Sequence, residues 1–257
     1  MIIELFGPPG VGKTTFAKCL AARLRQNGHA VELVMSVRPA EQATTVASGE
    51  NGSRSREKTA AFERLRRPFV EVVRLLRRQS FAPQETRSAN DIVRMLTPTS
   101  RLWRFRLTQY LARLSNSWSA ASSCAGVMIF DQAFIQAVSS LMLLGENEDE
   151  ALVSRLLDRV PKADMLIRLD APHEVLEDRL EARQNAQGLL ERLFELDLKR
   201  NLALLGIVDR LHALIEKRGE TVIRVNSLDQ PALEEGAARI GELLAARLHA
   251  EPLRVAS

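Results

Sequence analysis

Apolar residues recur along this chain in two rhythms. Short, nearly unbroken runs at 2–6, 30–35, 126–130, 165–169 and 221–225 have the length and the flanking turn residues of buried strands. Between them the spacing changes to that of a helix. Phe16, Ala17, Leu20, Ala21 and Leu24 share one face of a segment from Lys13 to Gln26, which Asn27-Gly28 terminates. Helices are likewise predicted at 133–143, 147–160, from Pro172 to about Arg183, within 189–217 and at 231–248.

The stretch between the second and third strands reads differently. Residues 41–56 carry no periodic pattern and read as a mobile loop. Two helical segments follow. One has Phe62, Leu65, Phe69, Val72, Val73 and Leu76 on one face, with Pro68 kinking or dividing it. The other runs through Ile92 and Leu96 to Leu107, Leu111 and Leu114, with Thr97-Pro98 as a cap and first-turn proline that restart it. Trp103, Phe105, Tyr110 and Trp118 are expected in the core, because aromatic and basic residues do not alternate on an exposed face.

Strands alternating with helices predict a mostly parallel, helix-covered sheet. The expected fold is one α/β domain over 1–257: a five-stranded parallel sheet in a three-layer arrangement, with a helical insertion at 41–120. Composition agrees, since 46% hydrophobic and 26% charged residues are ordinary for a soluble globular chain. Cys19 and Cys124 are too few for a disulfide framework. No run approaches the roughly 18 apolar residues of a membrane span, and Glu4 interrupts an N-terminal run too short for a leader. The expected location is the cytoplasm.

The net charge of +4 is unevenly placed. Residues 51–120 hold 15 basic and 5 acidic residues, so the rest of the chain is net acidic. That asymmetry points to an anionic partner for the insertion, with a solvated basic face as the plain alternative.

The most specific pattern follows the first strand. Gly7-Pro8-Pro9-Gly10-Val11-Gly12-Lys13-Thr14 fits G-x-x-x-x-G-K-[ST], with Thr15 next to it. Glycines let backbone N–H groups turn inward around phosphate oxygens, and the helix that follows aims its positive end at them. Lys13 can reach the outer phosphates, and Thr14 can ligate Mg²⁺. A strand before the motif and an amphipathic helix after it are the context it needs, so Mg-ATP or Mg-GTP is the expected ligand.

Such a site wants a carboxylate at a neighbouring strand end, and Asp131 is the candidate, as metal ligand or as base. A helix N-cap is its other reading, and the roles can coexist. Gln132 stands where many ATP hydrolases carry a glutamate that activates water.

On these residues the chain resembles the P-loop nucleoside and nucleotide kinases, particularly the thymidylate kinase-like and deoxynucleoside kinase-like proteins. Residues 166–183 resemble that family's fourth strand and the helix leading into an arginine-bearing lid, here 179–192. The resemblance implies that Arg179 and Arg183, one turn apart, close over the transferring phosphoryl group, with Arg192 contributing from beyond the turn. It also implies that residues 226–231 approach the adenine. The acceptor-side motifs differ: Ser36-Val37-Arg38-Pro39-Ala40-Glu41 replaces an Arg-Glu-Pro type, and Asp131-Gln132 replaces Asp-Arg. These departures argue against dTMP and for another small-molecule acceptor, an anionic one being an alternative to a solvated face for the basic insertion.

A competing reading is a nucleotide-dependent ATPase that engages nucleic acid or a protein partner through its basic helices, since the same loop occurs in ring-forming ATPases. Asn226-Ser227-Leu228-Asp229 fits part of a GTPase motif, but no D-x-x-G follows the third strand. Nucleic acid is the less favoured partner, and a homodimer is left open.

Overall fold

In a computed structural model the described residues are 1–35, 83–146, 149–186 and 198–250. The expected loop at 41–56, the helix built on Phe62 to Leu76, Arg38, Glu41 and Arg192 lie outside them.

The element order is β1 (Ile2–Phe6), α1 (Lys13–Gln26), β2 (Val31–Val34), α2 (Pro83–Met95), α3 (Arg101–Ser122), β3 (Val127–Phe130) and α4 (Phe134–Leu144), then α5 (Glu150–Leu157), β4 (Met165–Asp170), α6 (His173–Ala186), α7 (Leu198–Lys217), β5 (Val222–Asn226) and α8 (Gln230–Ala250). All strand pairings are parallel, in the order β2-β3-β1-β4-β5. The helices cover both faces, as a parallel sheet requires.

Period-2 alternation divides β1 between two cores. Ile3 and Leu5 pack with Phe16, Leu20 and Leu24 of α1 and with Ile240 and Leu244 of α8. Ile2 and Phe6 face the other way, toward α3, α4 and α7. There Trp118 lies 5.0 Å from the Phe130 ring and 5.3 Å from Phe134.

Two expectations need correction. Thr97 does not open a helix. Its hydroxyl donates to Arg94 O at the end of α2, and the chain restarts at Arg101 after an extended Ser100. A residue preceding proline is pushed away from the helical region, which makes Thr97 a better terminus than a start. Phe105 is not core: it is exposed, as is Leu102 one turn before it. Trp118 is buried, and Trp103 and Tyr110 are partly so.

Candidate nucleotide site

The site forms at the C-terminal ends of β1 and β3, which are neighbours in the sheet. After Phe6 the chain turns through Gly7, whose φ is +150°. A Cβ at this position would stand 2.6 Å from Leu169 O, so there is no room for a side chain. Gly12 is left-handed, φ 90°, and begins α1 without a side-chain cap or an acidic residue in the first turn. The N–H groups at this helix start are thus directed into the loop, with the helix dipole favouring an anion.

Lys13 is buried and donates to Gly7 O at 2.8 Å and Pro8 O at 2.9 Å. Its ammonium therefore lies across the loop it would share with a phosphate. Thr14 is half-buried and its hydroxyl donates to Asp131 Oδ2 at 2.8 Å. Asp131 is only 1% exposed. The two residues are 117 positions apart, and parallel pairing of β1 with β3 brings them together. Pro8 and Val11 are buried, Pro9 and Gly10 are half-buried, and Thr15 is exposed at the start of α1.

Hydroxyl and carboxylate oxygens are hard donors that suit Mg²⁺. Among the described residues no group of three or more His, Cys, Asp and Glu side chains could enclose a metal. The donor set fits an ion completed by phosphate oxygens and water, the usual habit of Mg²⁺ with nucleotides.

The other side of the loop is closed by the segment after β5. Ser227 is buried, and its hydroxyl donates to Val11 O. Arg179 of α6 donates to Ser227 O at 3.0 Å and Leu228 O at 2.8 Å, tying α6 to that segment. The Arg183 side chain lies outside the described residues. The 226–231 segment, expected near the adenine, borders the loop through Ser227, and Arg179 contacts that segment rather than the loop itself. Sequence reasoning did not foresee their contact, because a hydrogen bond to a backbone carbonyl leaves no trace in residue identity.

Glu4 and Gln136 were missed. Glu4 is fully buried under β3 and α4, and Ile135 N donates to its Oε1 at 2.6 Å. Burial pushes its carboxyl up to about 8, against the backbone hydrogen bonds from Ile135 and Gln136 that act to lower it. Gln136 Oε1 accepts from Gly7 N at 3.4 Å, so α4 also touches the first residue of the loop. The available signal was a lone carboxylate inside an apolar strand, on the same face as Ile2 and Phe6.

Along α3, Arg106, Tyr110 and Arg113 are spaced to share a face. Arg106 stacks on Trp103 at 4.9 Å, and burial lowers the pKa of its guanidinium. The Tyr110 phenol is held protonated by burial first and then by the negative charges of Glu4 and Asp131, with Arg113 opposing. Tyr110 of this helix therefore lies near the Asp131 end of the sheet.

Comparison with known proteins agrees with this architecture. The AAA family, described as the ATPase family associated with various cellular activities, matches residues 3–70, the segment that holds the phosphate loop. No curated protein matches the sequence. A solved structure of deoxyadenosine kinase from M. mycoides with dCMP and a flexible dCDP superposes with a TM-score of 0.51 at 14% identity, covering 98% of this chain and 100% of that one. The same enzyme with bound dATP gives 0.48 at 14%, covering 97% and 99%. The fold is that of the P-loop nucleoside kinases. Within that fold the matched segment carries the complete phosphate-loop motif. Among its described residues, no helix is long and apolar enough to cross a membrane.

Proposed function

We propose that the chain is a Mg-dependent kinase that transfers the terminal phosphoryl group of ATP to a small-molecule acceptor. The observation that carries this reading is the 2.8 Å contact between Thr14 and Asp131 at the rim of the phosphate loop. It supports a hydroxyl–carboxylate pair for the metal side, with Lys13 of the same loop for the phosphates. Bound there, Mg²⁺ would neutralise charge on the phosphate oxygens. In this reading Asp131 also accepts the proton of an acceptor hydroxyl.

Lys13, Thr15 and the loop amides hold the phosphates, and the glycines shape the turn. Arg179 and Arg183, one turn apart on α6, supply positive charge for the transfer. The two acceptors that hold Arg179 are neutral carbonyls, weaker partners for a guanidinium than a phosphoryl oxygen. The Arg106–Tyr110–Arg113 face of α3 supports an acceptor that carries negative charge. Gln132 in place of a water-activating glutamate supports transfer over hydrolysis.

The AAA match favours a second reading, an ATPase that works as an assembly or binding protein. An acceptor screen with purified protein, Mg²⁺ and γ-labelled ATP or GTP, covering nucleosides, nucleotides and sugars, separates the two. Label moved to one acceptor by the wild type and not by Lys13→Ala supports the kinase. Phosphate released only to water, with salt-sensitive binding to nucleic acid that changes with nucleotide, supports the second.

A further inference from the structure

We infer that Glu4 is a positioning residue: it caps α4 from the neighbouring strand and so holds the turn that keeps Asp131 beside the Thr14 hydroxyl. The inference rests on the reading of Thr14 and Asp131 as the metal side of the site.

The first backbone N–H groups of a helix lack partners within it, and an N-cap side chain normally accepts from the second or third helical residue. Helix α4 has Ala133 at its N-cap position, no side-chain cap bond and no acid in its first turn. Its second residue, Ile135, donates instead to Glu4 Oε1 at 2.6 Å. The cap thus comes from β1, 131 positions away.

What the cap holds is short. Residues 131–133 are the whole link between β3 and α4. Asp131 N donates to Val34 O at 3.3 Å, which fixes the strand side. Glu4 fixes the helix side, while its own backbone pairs with Phe130, the residue before Asp131. Both ends of the link are therefore referred to the sheet that carries the phosphate loop.

Glu4 is not placed to act on substrate. It is 0% exposed, and the cavity beneath it holds only about 10 Å³. The groups that face it are Tyr110 of α3, itself buried at its hydroxyl, and Lys162 and Glu220, which line the same cavity. Lys162 is paired with Glu220 at 2.9 Å, so it brings little net charge to Glu4, and Arg113 of α3 acts on Tyr110 rather than on Glu4. Glu4 Oε2 has no hydrogen-bond partner among the described residues. The surroundings thus suit a neutral carboxyl whose carbonyl oxygen accepts from the helix.

The test measures Mg²⁺ dependence of nucleotide binding, which needs no knowledge of the acceptor. The full chain is titrated with Mg²⁺ in the presence of a fluorescent ATP analogue, as wild type, Glu4→Gln and Glu4→Leu. Glutamine keeps a neutral acceptor and should stay within about twofold of wild type, whereas leucine should weaken the apparent Mg²⁺ affinity about tenfold, the scale of losing a supporting partner of a metal ligand. Metal-free nucleotide binding should be unchanged in both. Wild-type Mg²⁺ affinity in Glu4→Leu, or an equal loss in Glu4→Gln, overturns the inference. Should Glu4→Leu fail to fold, Glu4→Met, which keeps the length without the oxygen acceptor, takes its place under the same criterion. A wild type indifferent to Mg²⁺ would overturn the reading of Thr14 and Asp131 itself, and this inference with it.

Discussion

Two strands flank β1, and each ends in an aspartate. Asp131 follows β3, is 1% exposed and accepts from the neutral hydroxyl of Thr14. Asp170 ends β4 and accepts from two guanidiniums, Arg168 at 2.7 Å and Arg224 at 2.8 Å. Arg168 also pairs with Asp209 of α7. Beside Asp170 the surface opens into a groove of about 490 Å³ that also includes Arg239. The same local pattern, an apolar run ending in Asp, thus serves two ends. A carboxylate held by arginines joins strands and a helix, whereas one held by a hydroxyl stands at the rim of the phosphate loop. The neighbours across the sheet, not the residue, assign the role.

The largest effect should come from Lys13→Ala, which is expected to reduce phosphoryl transfer by about 10³-fold or more with an unchanged circular dichroism spectrum. Retained transfer would remove the phosphate loop from the chemistry. Asp131→Asn and Asp170→Asn test the comparison directly. The first should lower turnover by about 10²-fold and raise the Mg²⁺ requirement, with little change in melting temperature. The second should leave Mg²⁺ dependence alone and cost about 1–3 kcal/mol of stability, because it removes a charged partner from buried Arg168. Equal kinetic losses in both would end the distinction.

Glu4 adds a pH dependence to the buried end. Its folded pKa of about 8 lies above the ordinary 4.5, so between those values the folded chain holds a proton that the unfolded chain releases. Stability from this group is fully present below about 4.5 and is lost as the pH rises to about 8. Thermal melts of Glu4→Gln against wild type should therefore diverge in favour of the variant, by a few kcal/mol, as pH rises through that window. Parallel curves would mean that Glu4 is ionised throughout.

The smallest effect concerns Arg179→Ala. Loss of its bonds to Ser227 O and Leu228 O should raise the KM for nucleotide several-fold, the scale of about 1 kcal/mol. A larger fall in kcat would sharpen its role toward the transfer itself.

Much of this was legible in residue order. The phosphate loop, Lys13 and Thr14 declare themselves because the chemistry requires those types within eight consecutive positions, and α1 falls where its apolar spacing predicts. Asp131 was visible as an acid at the end of an apolar strand. Glu4 was read only as an interruption of an apolar run, since period 2 shows that it points inward but not what it meets. Phe105 failed for the opposite reason. An aromatic residue on a helix is core only if another element covers it, and at that face of α3 it stays exposed. Thr97-Pro98 was ambiguous because threonine can close one helix as readily as open the next.

By itself, then, the order of residues determined the alternation of strands and helices, the nucleotide loop and the excess of positive charge in 51–120. All of these are short-range properties, set by periodicity, turn chemistry and composition. Tertiary structure alone decided that β3 lies against β1, that Asp131 meets Thr14 while Asp170 meets two arginines, and that Glu4 caps a helix 131 residues away. Those contacts depend on strand order and register, which follow from the simultaneous burial of both faces of the sheet and are written in no single segment.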